Sequence, residues 1–409
     1  MTHSDGRAEG IMTKNARRLV VFVSDFPFSP RDEVRFGLSF FVSRGYTPII
    51  VNVAQIYPPT GAGWQGGDLS SFPSQDMRSS KDLRKTLQGT VSEDLVINLV
   101  GLQRGHLRRY RELHQLLSES RGTMGGLDAA PVMPPERQKQ TRSSFTARGV
   151  DLVRAMRSWL ISLSVVRSLF RFTYSMRPLD FVWVATNADN ISPLLIGKET
   201  RVVPIHSLDF DQICVAQVAQ KESTARLILI DDLGPDHPDL QRSDGAPRHG
   251  LSTGEYFTEL RSNLDQIELL SGCLVEVAAH PRARPGVLEE RYGHRQIHYG
   301  ETAKLIEQSS LILLTGASTA VGMGIALKKP MMMIQIVGID ETRAARRDAI
   351  VDFLKLETFM VGHTKPGWQW PVIDAGAYDS YMAKFVKIPG SREGHFWQVV
   401  IDTLEDQWA

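Results

Sequence analysis

The feature that most constrains the fold is a regular alternation of short apolar runs and helical patterns between Gly272 and Ile336. The apolar runs predict four strands, at Leu274–Ala278, Gln296–His298, Leu311–Leu314 and Met331–Ile336. Helical patterns between strands are expected of a parallel sheet that is covered on both faces. In an open α/β sheet, ligands bind at the carboxyl ends of the strands. We therefore predict an α/β fold whose functional site lies in this part of the chain.

The composition narrows the class of protein. The chain has 409 residues, of which 42% are hydrophobic and 23% charged, which is typical of a globular protein of two or three domains. The net charge of +1 gives no basic field, so we predict no nucleic-acid partner. Cys214 and Cys273 lack metal-ligand spacing and indicate a reducing, cytoplasmic location. The polar N-terminus does not resemble a signal peptide, and no run reaches the roughly 18 apolar residues of a membrane span.

The first half of the chain shows the same alternation. Arg18–Ser24 and Thr47–Val53 predict a βαβ unit without a GxGxxG turn, so a bound dinucleotide is not indicated. Asp94–Val100 and Leu179–Ala185 predict further strands. We expect a disordered leader at residues 1–16 and a first Rossmann-like domain at 17–222, with a polar insertion at 118–148. A second Rossmann-like domain is expected at 223–370. The tail at 371–409 should end in a helix, Gly394–Trp408, that packs back on the first domain.

A long helical pattern at Val150–Thr173 carries arginines among large apolar residues. Such a helix can lie on an anionic membrane surface, or it can pack on a core with its arginines in water. The second interpretation is favoured, and a peripheral contact with the inner face of the membrane stays open. The arginines of the predicted basic surface are Arg108, Arg109, Arg111, Arg154 and Arg157.

Three polar groups stand at predicted strand ends of the second domain. Asp231 and Asp232 follow its first strand, His280 follows the next strand, and Ser318 and Thr319 stand between a later strand and an apolar helix. Free N–H groups and hydroxyls at a helix start favour a phosphate. The histidine could donate a hydrogen bond to that phosphate, and an aspartate supplies a base or a nucleophile. Together they predict a site for a phosphorylated donor.

Each group also has a structural interpretation. Ser318 is a typical N-cap, His280 with Pro281 is a typical turn, and adjacent aspartates are common in solvated loops. Asp209 and Asp211 form the DxD pattern of metal-dependent sugar transferases, yet two aspartates near a helix start also cap it. The joint occurrence of the three strand-end groups on one sheet edge favours the functional interpretation.

These motifs resemble those of a known family. The segments that carry the resemblance are LILIDDLGPDHPD, VEVAAHPRARP and GHRQIHYGETAKLIEQSSLILLTGASTAVGMGIALKKPMMMI. Over about residues 225–336 the chain is similar to the C-terminal half of bacterial surface-polysaccharide glycosyltransferases of the GT-B fold, of the Kdo and sialic-acid type that use CMP-activated ulosonic acids. This resemblance implies two Rossmann-like domains that face each other across a cleft.

The resemblance also implies roles for single residues. The second domain would hold the nucleotide-sugar donor, and the first would hold a lipid-linked or oligosaccharide glycan acceptor of lipopolysaccharide or capsule synthesis. Asp231 or Asp232 would be the catalytic carboxylate, as the nucleophile of a retaining reaction or the base of an inverting one, together with His280. No metal and no cofactor beyond the donor is implied. The expected phosphate-binding residues are His280, Pro281, Arg282, Gly316, Ser318 and Thr319. On the acceptor side we place Asp25, Asn187, Asp209 and Asp211.

Three other functions are open. A GT-B transferase that uses a UDP- or GDP-sugar often carries a carboxylate for the ribose after its phosphate-binding residues, and none follows Ser318 closely. A phosphorelay receiver module could use the acidic pair, but it needs an aspartate at the end of its third strand. A non-catalytic GT-B-like scaffold would keep its cellular role after loss of His280.

Overall fold

The structure is a computed structural model of the chain. It describes residues 18–57, 69–102, 109–128, 176–186, 191–216, 225–237, 250–283, 285–362 and 368–408. Within these residues, two parallel β-sheets form, one of seven strands and one of six.

The first sheet is built from the N-terminal half of the chain. Its strands are β1 Leu19–Ser24, β2 Thr47–Asn52, β3 Ser74–Asp76, β4 Leu95–Asn98, β5 Thr123–Asp128, β6 Leu179–Val184 and β7 Ile196–Pro204. Its helices are α1 Pro30–Arg35, α2 Leu38–Ser43, α3 Ser80–Gln88 and α4 Arg111–Leu117. Val20 and Phe22 of β1 face one core and Val21 and Val23 face the other. Both faces are therefore covered, which explains why β1 is a continuous apolar run.

The second sheet is built from the C-terminal half. Its strands are β8 Leu227–Ile230, β9 Val275–Ala278, β10 Ile297–His298, β11 Leu311–Leu314, β12 Met331–Ile334 and β13 Glu357–Phe359. The helices of this half are α5 Phe210–Ala216, α6 Thr253–Ser271, α7 Val287–Tyr292, α8 Thr302–Gln308, α9 Ala320–Ala326, α10 Glu341–Leu354, α11 Ala375–Tyr381 and α12 Phe396–Trp408. A capping box between Ser252 and Glu255 starts α6, and left-handed Gly272 ends it.

Both sheets have the Rossmann strand order. The first runs β3-β2-β1-β4-β5-β6-β7 and the second β10-β9-β8-β11-β12-β13, and all pairs are parallel. The order reverses between β1 and β4 and between β8 and β11. A crevice outside the strand ends is expected at each of these points. The predicted α/β architecture of two Rossmann-like domains is confirmed.

Strand β5 corrects the predicted insertion at residues 118–148, because it lies inside the first sheet between β4 and β6. Gly125 and Gly126 suggested a loop. In the structure, a Cβ atom on Gly125 would lie 2.3 Å from the Trp183 ring, and one on Gly126 would lie 2.8 Å from Leu179. These glycines make room for large side chains of the neighbouring strand, which is a second common reason for glycine within a strand.

Within the described residues, the chain crosses between the domains at two places, and these two crossings contact each other. Ser207 N donates to the carbonyl oxygen of Val386 at 2.7 Å, and His206 pairs with Lys387 as an isolated antiparallel bridge. The segment between β7 and α5 thus lies directly beside the segment between α11 and α12.

These crossings shift the predicted boundaries. Ile213 of α5 packs in a core of the second sheet, so the chain leaves the first domain near residue 205 rather than 222. Tyr378 and Tyr381 of α11 also belong to that core. Helix α12 returns to the first domain, where Phe396 and Trp397 join the core beside β1. The tail at 371–409 is therefore divided between the two domains.

The return of α12 depends on a glycine between α1 and α2. Gly37 has a φ of +61°, and a Cβ atom there would lie 2.3 Å from Cδ1 of Trp397. The Trp397 indole packs at this point, and its Nε1 donates to the carbonyl oxygen of Arg35 at 3.0 Å. Its ring also meets Phe22 of β1, with centroids 6.0 Å apart.

Several predictions lie outside the described residues. They concern the leader at 1–16, the rest of the insertion, the basic helix Val150–Thr173, and Arg108, Arg154 and Arg157. Within the described ranges, no helix combines the length and apolar character that a membrane crossing needs.

Candidate active site

The order reversal of the second sheet brings the loops after β8 and β11 together. Asp232 stands in the first loop and Gly316 in the second. A Cβ atom on Gly316 would lie 3.0 Å from Oδ2 of Asp232, so the glycine lets the second loop approach this carboxylate closely. Two of the three predicted motifs therefore meet at one crevice.

Asp231 is buried, with 3% of its surface exposed. Its Oδ1 accepts hydrogen bonds from Leu233 N at 2.9 Å and Tyr292 Oη at 2.7 Å, and its Oδ2 accepts from His280 N at 3.0 Å. Burial raises the pKa of Asp231, and these donors act in the opposite direction. The carboxylate ties the end of β8 to the end of β9, and protein donors occupy both of its oxygens.

Asp232 has different surroundings. Its Oδ1 accepts from Gly234 N at 2.9 Å and from Tyr256 Oη at 3.0 Å, while its Oδ2 lies 3.2 Å from Nη2 of Arg343. Leu233 and Gly234 have φ values of 59° and 49°, so the backbone turns back beneath the carboxylate. The Asp232 side chain is 14% exposed and borders the loop after β11. Of the two aspartates, Asp232 is the less buried one, and it lies where the strand order predicts a crevice.

His280 completes the group of strand-end residues. Its ring Nδ1 accepts from Arg282 N at 3.1 Å, and its ring meets that of His237 edge to face at 5.1 Å. Burial, followed by His237 and the cations Arg282 and Arg31, lowers the pKa of His280 to about 3. The ring is therefore neutral near pH 7. Because Nδ1 accepts, the proton is on Nε2, which can donate a hydrogen bond to an anion.

The loop after β11 holds the remaining phosphate-site predictions. Ser318 Oγ accepts from Ala320 N at 3.2 Å, so this hydroxyl takes part in the start of α9. Thr319 makes no side-chain cap. It lines a small pocket together with Asp209 and Val386, next to the crossings between the domains. Pro281, which follows His280, is exposed.

The predicted acceptor-side residues do not form one group. Asp25 accepts from Tyr110 Oη at 3.0 Å at the end of β1. Asp209 is buried, and its Oδ1 lies 3.8 Å from Nη2 of Arg35. Asn187 lies outside the described residues.

Asp211 serves the C-terminal helix. Its Oδ2 accepts from Phe396 N at 2.9 Å, where α12 begins, and its Oδ1 lies 3.3 Å from Nε2 of His206. Burial raises the pKa of Asp211. These contacts give Asp211 a structural role at the start of α12, which differs from the predicted role on the acceptor side. Asp209 and Asp211 bind different partners, so the DxD pattern is not a shared ligand pair.

Four residues of the site have no motif in the sequence. Tyr256 and Tyr292 stand at buried positions of α6 and α7, where their spacing indicates only a core. Arg343 lies about 110 positions from Asp232 along the chain, and Arg31 belongs to the other domain. For Arg31, the sequence offers one signal, its position a few residues after the predicted strand Arg18–Ser24.

The arrangement joins three chemical functions. Asp232 is a carboxylate with a cation, Arg343, at its Oδ2. His280 is a neutral hydrogen-bond donor on the adjacent strand end. Arg282 and Arg31 supply positive charge around it. A carboxylate, a neutral donor and cations at one crevice suit the binding of an anionic leaving group and the attack on an adjacent carbon.

Comparison with known proteins gives the following findings. Among solved structures, the chain is similar to the calicheamicin glycosyltransferase CalG4, at 11% identity and a TM-score of 0.43, over 92% of this chain and 91% of that one. It is also similar to the spinosyn forosaminyltransferase SpnP, at 11% identity and a TM-score of 0.42, over 95% of this chain and 99% of that one. A further similar structure is MurG of Acinetobacter baumannii, at 10% identity and a TM-score of 0.42, over 95% of this chain and 99% of that one. No protein-family model matches the chain, and no curated protein matches it.

Proposed function

We propose that the chain is a glycosyltransferase of the GT-B fold that moves a sugar from a nucleotide donor to a glycan acceptor. One observation carries the proposal: Asp232 and His280 lie with Gly316 at the order reversal of the second sheet, where Rossmann-like domains bind nucleotides. The donor would occupy this crevice and the acceptor would approach from the first domain.

In this mechanism, His280 donates its Nε2 proton in a hydrogen bond to the phosphate as the sugar leaves. Asp232 acts either as a nucleophile on the sugar carbon from which the phosphate leaves, or as a base that takes the proton of the acceptor hydroxyl as this hydroxyl attacks that carbon. The contacts of Asp231 support a positioning role, since its Oδ2 holds the backbone of His280 and its Oδ1 holds the turn that leads to Asp232.

For the donor we propose a CMP-linked ulosonic acid of the Kdo or sialic-acid type, and for the acceptor a lipid-linked or oligosaccharide glycan of surface-polysaccharide synthesis. The resemblance of the acidic, His-Pro and Ser/Thr motifs supports this choice. Helix α9, which follows Ser318, has the sequence AVGMGIA and no carboxylate for a ribose, in contrast to many UDP- and GDP-sugar sites.

The strand order argues against the receiver alternative. A receiver has the flavodoxin-like strand order 2-1-3-4-5, whereas the second sheet has the order 3-2-1-4-5-6 when its strands are counted from β8. The order reversal therefore lies between its first and fourth strands and not between its first and third.

A nucleotide panel tests the proposal. We expect CMP and CTP to raise the Tm of the protein more than UDP or GDP do at equal concentration. His280→Ala should weaken CMP binding about tenfold or more, because a hydrogen bond to a charged phosphate is lost. His294→Ala is the matched control, since this histidine belongs to the same domain and its side chain is 62% exposed.

The outcomes separate the candidates. A preference for UDP or GDP that depends on His280 would keep the transferase and reject the CMP donor. If none of these nucleotides raises the Tm, or if His280→Ala and His294→Ala bind CMP equally well, the donor site is rejected and the non-catalytic scaffold is left.

A further inference from the structure

Two arginines of the first domain are placed toward the second. Arg31 and Arg35 stand four residues apart on α1 and so share one side of this helix. Helix α1 begins just beyond the carboxyl end of β1, at the order reversal of the first sheet. The pair therefore lies at the edge where this domain is expected to meet ligands.

Neither guanidinium is fully matched by protein groups. Within the described part of the chain, Arg31 makes no hydrogen bond and no ion pair. Nε of Arg35 is buried without a hydrogen-bond partner, and its Nη2 lies 3.8 Å from Asp209, which is beyond hydrogen-bond distance. The neighbouring carboxylate of Asp32 accepts from Ser29 N and Ser29 Oγ, so it is committed to the start of α1.

The charges around Arg31 are mixed. Burial, followed by the charge of Arg35, lowers the pKa of Arg31 to about 10. The carboxylates of Asp32 and Asp209 act in the opposite direction, and Arg282 of the second domain lowers the pKa again. Arg31 remains a cation at neutral pH. The charge of Arg31 also acts on His280. Asp209, the carboxylate nearest Arg35, lines the same pocket as Thr319 of the loop after β11. Arg31 thus lies within electrostatic range of His280, and the ion-pair partner of Arg35 lies beside Thr319.

Partly buried guanidinium donors that make no hydrogen bond are costly unless a ligand supplies an acceptor. We infer that Arg31 and Arg35 form an oxyanion-binding subsite, contributed by the first domain, that closes on a phosphate or carboxylate group of the substrate held beside His280. The inference deepens the proposed function, since the donor supplies both a phosphate and, in a ulosonic acid, a carboxylate. Arg31 would bind the oxyanion directly, and Arg35 would contact both the oxyanion and Asp209.

The test measures binding of three probes by calorimetry: inorganic phosphate, CMP, and a CMP-linked ulosonic acid. Arg31→Gln should weaken at least one of them about tenfold or more, because a charge-assisted contact is lost. Arg84→Gln is the control, as it makes the same charge change on the exposed surface of the first domain, where Arg84 pairs with Glu119 at 2.8 Å. Arg31→Lys should restore part of the affinity, since it keeps the charge but loses the planar donor fork.

The pattern of losses identifies the group that is bound. Weaker binding of phosphate and CMP assigns the subsite to the phosphate, and a loss confined to the CMP-linked ulosonic acid assigns it to the carboxylate. Equal affinities of Arg31→Gln and Arg84→Gln for all three probes would overturn the inference while the nucleotide site stands. Phosphate binding that depends on Arg31 in a protein indifferent to nucleotides would support the subsite and reject the donor. A wild-type protein that binds no probe rejects both.

A second readout separates ligand binding from a structural role. Arg31 makes no hydrogen bond and no ion pair with the described residues, and the repulsion by Arg35 and Arg282 opposes the attraction by Asp32 and Asp209. Arg31→Gln should therefore change the Tm of the ligand-free protein little. A structural arginine would lower the Tm instead. The inference is contradicted if the Arg31→Gln variant is less stable than the wild type without ligand and still binds the probes with full affinity.

Discussion

Asp231 and Asp232 are adjacent in sequence, yet their carboxylates have different surroundings. Asp231 is buried and accepts three hydrogen bonds from the protein. Asp232 borders the crevice and faces the cation Arg343. The left-handed turn at Leu233 and Gly234 directs the chain back toward Asp232, which separates the two environments. A motif of two identical letters thus contains one structural residue and one candidate for chemistry.

Amide substitutions should separate these roles. Asp231→Asn places an N–H₂ group against a buried backbone donor, so we expect a loss of about 1–3 kcal/mol in the free energy of unfolding. Asp232→Asn keeps an oxygen for Gly234 N and Tyr256 Oη, and we expect a smaller loss of stability but loss of sugar transfer. Urea unfolding and a transfer assay measure the two effects. The assignment is contradicted if Asp231→Asn is as stable as the wild type or if Asp232→Asn keeps full activity.

At the scale of elements, α12 packs against the junction of α1 and α2. Gly37→Ala combines a left-handed φ with a Cβ atom that overlaps the Trp397 ring. We expect a loss of at least about 2 kcal/mol in the free energy of unfolding. In a Trp397→Leu background the overlap is relieved, so the same substitution should cost only about 1–2 kcal/mol, the cost of the backbone conformation.

A double-mutant cycle on Gly37 and Trp397 measures this coupling. Gly45→Ala is a suitable reference for the backbone term, because Gly45 also has a positive φ but has no atom near its Cβ position. If Gly37→Ala costs the same with Trp397 as with Leu, the packing of α12 at this glycine is not what requires it.

The elements that sequence reasoning identified are those whose pattern is local. Apolar runs at Leu311–Leu314 and Leu179–Val184 are strands because both sheet faces are covered, and their neighbours do not change that pattern. The glycines of β5 were misread because their reason lies in Trp183 and Leu179, more than 50 residues away. A local pattern cannot distinguish a glycine that turns the chain from one that makes room for a distant side chain.

The residues of the candidate site also fall into those that a local pattern identifies and those that it does not. Strand alternation placed the acidic pair and the His-Pro pair at one sheet edge, because the ends of parallel strands lie together. Tyr256, Arg343 and Arg31 could not be found from sequence, because a single tyrosine or arginine has no signature until the fold sets its neighbours.

At the scale of the whole molecule, stability depends on pH because burial keeps some histidines neutral in the folded protein. Burial lowers the pKa of His114 to about 4, whereas the unfolded chain binds this proton below about pH 6.5. The unfolded state therefore holds more protons in this range, and stability falls as the pH falls. His114 is 3% exposed, and its contribution should be a loss of about 2 kcal/mol between pH 7 and pH 5. The lowered pKa of His280 acts in the same direction.

Urea unfolding at pH 7 and pH 5 measures this dependence. His114→Gln is expected to be less stable at pH 7, since its hydrogen bond with the Gly101 carbonyl oxygen changes, but to lose less on acidification than the wild type. An unchanged pH dependence in this variant would show that the pKa of His114 in the folded protein is close to its unfolded value.

The paired crossings at His206 and Lys387 have a consequence for substrate binding. Because both passages of the chain between the domains are fastened to each other, a change in the angle between the domains needs rotations at only a few bonds nearby, with both sheets left intact. Arg31 and His280 stand on opposite sides of that joint, so their separation follows the angle. An anion that bridges them would bind and close the protein in one equilibrium, and its affinity would include the free energy of closure.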